Sequence, residues 1–256
     1  MADTRNYQTR SVPGAGTYAD IDQGLRAYMI KVYNLMGLGL LITGLAAVAT
    51  IMMATTSTPT AYAISDGTYL TAFGYAIFAS PLKWVVILAP LAAVMFLSFR
   101  VQSMSVSAAQ TTFWVYAALV GLSLSSIFLV YTTASISQTF FATAAAFGAL
   151  SLYGYTTKRD LTAMGSFLIM GVFGIIIAMV INIFLQSSAL SFAVSAIGVL
   201  VFAGLTAYDT QKIKEMYYEG DDTAVAGRKS IMGALRLYLD FINLFMFLLQ
   251  FMGDRR

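Results

Sequence analysis

The 256-residue sequence has no cysteine and no histidine, and only 11% of it is charged. Without cysteine there are neither disulfides nor thiolate metal sites. Without histidine the chain lacks the commonest general base, pH switch and transition-metal ligand. Proton chemistry must therefore rest on carboxylates, and cation binding on oxygen ligands, which favours hard ions such as Ca²⁺ over Zn²⁺ or Cu²⁺. No basic run resembles a nucleic-acid footprint, so no nucleic-acid partner is expected. A soluble domain carries roughly a quarter charged residues. Here that deficit goes with 59% hydrophobic residues gathered in long runs, which is the membrane signal.

Residues 1–27 are polar, with Pro13, Gly14 and Gly16. They read as a flexible tail ending in a short amphipathic lead-in near residues 22–26, ahead of a membrane domain over 28–256. The first apolar run starts too late and is too long for a secretory signal peptide, so it should stay as an anchor. Seven spans are expected at about 35–54, 84–99, 109–131, 139–157, 166–185, 190–209 and 231–252. From Val101 to Thr157 no residue is charged. One helix of that length would reach roughly 85 Å, against a bilayer core of about 30 Å. The chain must fold back, and the polar stretch 132–138 is the expected turn. The same reasoning puts a turn near 186–191. Residues 67–80 are apolar but short for a span, and read as an interfacial segment on the outer face. With the N-terminus inside, the inner segments hold Arg5, Arg10, Arg26, Lys31, Arg100, Lys158, Arg159, Lys212, Lys214, Arg228 and Lys229, and the outer ones only Lys83, Arg255 and Arg256. That is the positive-inside pattern.

Few charged residues lie where lipid would make them expensive. Asp209 ends the sixth span, where the helix dipole disfavours a carboxylate, while Arg100 closes the second span on the same side. A contact between them would relieve Asp209; the alternative is an interfacial aspartate wetted by the Lys212 and Lys214 loop. Asp240 lies two to three turns into the seventh span. Arg236, Asp240, Asn243, Phe247 and Gln250 share one stripe of that helix. The stripe is either an ion-accessible path or an Arg236–Asp240 pair that only fixes packing. Asn182 and Gln186 form a smaller i, i+4 polar pair, and Asp221 and Asp222 read as solvated loop residues. If Asp209 and Asp240 approach, two carboxylates that cannot both ionise easily share one proton and change charge near physiological pH, with Arg100 as a latch. They are also the candidate Ca²⁺ contacts.

The segments A-Y-D-T-Q-K-I-K (207–214), L-Y-L-D-F-I-N-L-F-M-F-L-L-Q (237–250) and K-R-D-L-T-A-M-G (158–165) strongly resemble the Bax inhibitor-1 family in its bacterial branch. The resemblance implies an all-α membrane protein, a seven-transmembrane helical bundle with the C-terminal helix central. It implies a pH-sensitive Ca²⁺ leak channel of the inner membrane gated by two aspartates, matched by Asp209 and Asp240, and an arginine, matched by Arg100. It further implies links to membrane stress and to an inner-membrane protease, so that the alternative function is modulation by protein binding without ion flux. Partners are then membrane lipid, protons, Ca²⁺ as the transported ion, and that protease; no cofactor is expected. Tyr208–Asp209 is also similar to the first motif of presenilin-type proteases. The second motif needs glycines around its aspartate, and Leu237-Tyr238-Leu239-Asp240 has none, so no enzyme activity is expected.

Overall fold

Short polar side chains at the edges of the apolar runs decide where helices begin. Ser105, Thr132, Ser187 and Asp222 each accept a hydrogen bond from the backbone N–H three residues on. Such N-caps satisfy one of the free donors of a first helical turn. The computed structural model describes residues 15–65 and 67–256. Its elements are α1 (Ala15–Ala54), strands β1 (Thr55–Thr56), β2 (Ala63–Ser65) and β3 (Thr68–Leu70), then α2 (Ala72–Phe78) and α3 (Leu82–Arg100). A 3₁₀ turn (Val101–Ser103) leads to α4 (Val106–Leu124), α5 (Ile127–Val130), α6 (Thr133–Thr156), α7 (Thr162–Leu185), α8 (Ser188–Glu215) and α9 (Thr223–Met252). The protein is an all-α membrane protein. Among the described residues, seven helices are long and apolar enough to cross a membrane: α1, α3, α4 with its continuation α5, and α6 to α9.

The C-terminal helix is central. It packs on α1, α4, α6 and α8, and 61% of its most apolar stretch is buried, against 6% for α7. α7 leans on α8 and turns Phe167, Phe173, Ile177 and Phe184 outward. A large exposed apolar surface of this kind marks contact with membrane. Close crossings rest on small residues: a Cβ at Gly154 of α6 would collide with the Ala207 carbonyl oxygen of α8, and one at Gly121 of α4 with that of Thr43 on α1.

The helices overrun the apolar runs, because hydropathy marks what lipid covers whereas caps mark where helices end. The span expected at 35–54 is the last half of a 40-residue helix, and residues 15–27, read as tail, belong to it. Residues 1–14 of that tail lie outside the described residues. The turn expected at 132–138 comes earlier. Thr132 caps α6, so 133–138 are helical. At 186–191 the turn is tighter than expected: Gln186 takes a left-handed conformation and Ser187 already caps α8. The Asn182 side chain does not pair with that of Gln186. Its Oδ1 accepts from Ser187 N–H and its Nδ2 donates to Ser191 Oγ, bracing the turn. Within 67–80 lie β3 and the seven-residue α2, about 10 Å long and too short to span. β1, β3 and β2 form a small antiparallel sheet in that order.

Gly154→Val should lower the thermal midpoint of detergent-solubilised protein, by an overpacking penalty of about 1–3 kcal/mol. Gly174→Ala, whose Cβ meets nothing within 4 Å, should raise it through helix propensity. A Gly154→Val protein that melts with wild type would contradict the α6–α8 crossing.

Candidate functional site

Along 207–214 on α8, nearly every residue is engaged. Ala207 meets Gly154, and Tyr208 covers Gly165 at the start of α7. Thr210 Oγ1 shares a 2.9 Å hydrogen bond with Ser151 Oγ of α6. Gln211 holds the 158–161 loop from both sides, accepting from Leu161 N–H at 2.9 Å and donating to the Arg159 carbonyl at 2.8 Å. Lys214 donates to the Tyr155 carbonyl at 2.9 Å, and Ile213 is fully buried against Gly233 of α9. In the loop itself the Thr162 hydroxyl and N–H both donate to Asp160, which holds that exposed carboxyl below the usual carboxylate range.

Asp209 points from α8 toward α9, and Asp240 faces it within hydrogen-bonding reach. Asp240 is 4% exposed, and its Oδ2 has no hydrogen-bond partner among the described residues. Arg236, one turn before Asp240, approaches Asp209 instead, with Nη1 4.0 Å from Oδ1. Two carboxyls in this position can share one proton, which would also satisfy the orphaned oxygen. They fall short of the six to eight oxygens that Ca²⁺ takes. Among the described residues no third acidic side chain joins them, so carbonyls or water would have to complete a cation's shell.

Three expectations change here. Asp209 does not end its helix; α8 continues to Glu215, so the terminal dipole, which acts within the last turn, is not what Asp209 feels. The Arg100–Asp209 contact is not formed. Arg100 is exposed at the end of α3, which packs on α2 and α4 and not closely on α8. The Arg236–Asp240 pair is replaced by Arg236–Asp209 because Asp240 turns into the bundle while the guanidinium stays 47% exposed. The loop acids are engaged too: Asp222 caps α9 and Asp221 pairs with Lys229.

The stripe on α9 is polar at both ends and closed between them. Asn243 donates to the Leu239 carbonyl of its own helix. Phe247 then seats on Gly198 of α8 and stacks on Phe202, with ring centroids 5.6 Å apart. Beyond it Gln250 lines a 220 Å³ pocket with Asn182 and Ser191. The sequence did not single out a hydroxyl chain that ends beside Asp209 on α8. Tyr33 OH of α1 bonds Ser151 Oγ at 2.6 Å, which bonds Thr210 Oγ1, next along the chain from Asp209. Serine and threonine are common enough in membrane helices that nothing in their pattern marks these three.

The model of the family described as inhibitor of apoptosis-promoting Bax1 matches residues 25–256. The chain belongs to the Bax inhibitor-1 family. It is 48% identical over 236 residues to the inner membrane protein YbhL of Escherichia coli, covering 91% of this chain and 94% of YbhL. It is 48% identical over 248 residues to the Rickettsia prowazekii protein RP147, covering 97% and 98%, and 45% identical to a Caulobacter vibrioides protein over the whole of both chains. As a Bax inhibitor-1 protein, it carries the three motifs as one docked unit around Asp209 and Asp240.

In unfolding measurements in micelles, Arg236→Gln and Asp209→Asn should be non-additive by up to about 1 kcal/mol, the range of a half-exposed ion pair. Arg100→Gln and Asp209→Asn should simply add. Coupling of Arg100 as large as that of Arg236 would reverse the assignment.

Proposed function

We propose that this protein is a pH-sensitive leak pathway for Ca²⁺ in a bacterial inner membrane, with its N-terminus on the cytoplasmic side. The observation that carries the reading is the adjacency of Asp209 and Asp240 on facing helices, one buried and one at the bundle's polar edge. Such a pair changes charge as it gains or loses the shared proton. Arg236 is the cation that faces it, and it takes the latch role that the sequence reading gave to Arg100. In the closed arrangement Phe247 plugs the stripe beyond Asp240. Loss of the shared proton leaves two negative charges side by side, and their repulsion works against the α8–α9 contact while offering oxygens to a hard cation. The inner-membrane setting is supported by the likeness to YbhL, and the orientation by the positive-inside distribution of loop charges.

Purified protein in liposomes should carry Ca²⁺ at a rate that changes with pH between about 6 and 8, as a proton shared by two carboxyls is gained or lost. Asp209→Asn and Asp240→Asn should flatten that profile, since an amide cannot share the proton, and Arg236→Ala should raise the basal leak. Flux identical with and without protein across the same range would leave the binding role at an inner-membrane protease.

A further inference from the structure

A large cavity lies away from the aspartates. About 1340 Å³ opens between α1 and α6 over a floor made by Phe241, Ile242 and Phe245 of α9. The walls are apolar, and Leu41, Leu45, Phe141 and Leu152 stand more than half exposed in them. Three glycines line it, Gly37 and Gly44 on α1 and Gly148 on α6, and a Cβ at any of them would meet nothing within 4 Å. Alanine at each would favour the helix by roughly 1 kcal/mol, so no packing inside this chain accounts for them. They widen the groove.

Charge is confined to one mouth. Arg26 lines the cavity there, and Tyr155 beside it carries Lys214 over its ring, with Nζ 5.2 Å from the centroid. At the far end the lining is Leu124, Ile127 and Phe128. A groove with cations at one end and hydrocarbon along its length fits a molecule built the same way. From Arg26 to Gly37 is about 16 Å along α1, and from Tyr155 to Gly148 about 10 Å along α6; one leaflet of hydrocarbon is about 15 Å deep. We propose that this groove holds a resident phospholipid, its phosphate at Arg26 and one acyl chain lying past Gly37 and Gly148 against α9. Arginine suits the phosphate because its fork donates two parallel hydrogen bonds. The inference is independent of the leak reading.

Native mass spectrometry of the delipidated full-length chain, titrated with phosphatidylglycerol or phosphatidylcholine, tests it. Wild type should show one saturable adduct that prefers phosphatidylglycerol. Arg26→Gln should weaken phosphatidylglycerol roughly tenfold, the loss of one charge-assisted contact, and bring it level with phosphatidylcholine. Gly37→Leu combined with Gly148→Leu should abolish the saturable adduct of either lipid. Graded adducts that are the same in wild type and Arg26→Gln would overturn the proposal, and this variant decides alone if the filled one fails to fold. Chain dimers lost on filling the groove would also overturn it, by naming a second copy as the occupant.

Discussion

A carboxyl group enclosed by apolar helices has to find polar company, because an ionisable side chain at membrane depth costs several kcal/mol on its own. Asp240 meets that demand with a neighbouring aspartate and, one step farther out, an arginine. The arrangement restricts how α8 and α9 can cross. Asp209 must project from α8 toward the same point that Asp240 reaches from α9, and Arg236 must lie on the wet side of both. Gly198 under Phe247 and Gly233 under Ile213 let the two backbones come close enough to do so. The central helix is thus held at its middle by polar groups and along the rest of its length by packing.

That crossing would fail if α8 could slide along its axis, and the loop that joins α6 to α7 opposes sliding. Gln211 grips the backbone at Arg159 and Leu161, Lys214 reaches Tyr155, and Tyr208 fills the space left by Gly165. These are side-chain bonds to backbone atoms at a helix end, where free carbonyls and N–H groups are on offer. The segment 158–165 therefore works as a clamp on the C-terminal half of α8, and the two short motifs are two sides of one joint.

Seven spans were legible in the sequence from long runs with almost no charge, and the central last helix followed from the family resemblance. Asp209 and Asp240 stood out as scarce charges whose approach the sequence left conditional. The identity of Asp209's cation was not legible. Arg100 and Arg236 are both plausible by position along a span, and only the rotation of α9 about its axis, which brings Arg236 toward α8, separates them. The turn at 132–138 was misplaced for a related reason. Thr132 caps a helix while Ser135, Ser137 and Gln138 ride within it, and composition alone cannot tell a cap from a polar face. Asp221 and Asp222, read as solvated, carry a cap and an ion pair that depend on where α9 begins.

The hydroxyl chain from Tyr33 through Ser151 to Thr210 joins the two halves of this picture. It holds the one side-chain hydrogen bond between α1 and α6 among the described residues, and it ends one residue from Asp209. The same two helices form the walls of the large groove, with Tyr33 and Ser151 both in its lining. A bond so placed is sensitive to the width of the groove: if the walls part, the 2.6 Å contact is lost before any apolar contact across it, because hydrogen bonds weaken steeply with length and angle whereas dispersion fades gradually. Ser151 would keep its bond to Thr210, so the α6–α8 contact would outlast the α1–α6 one.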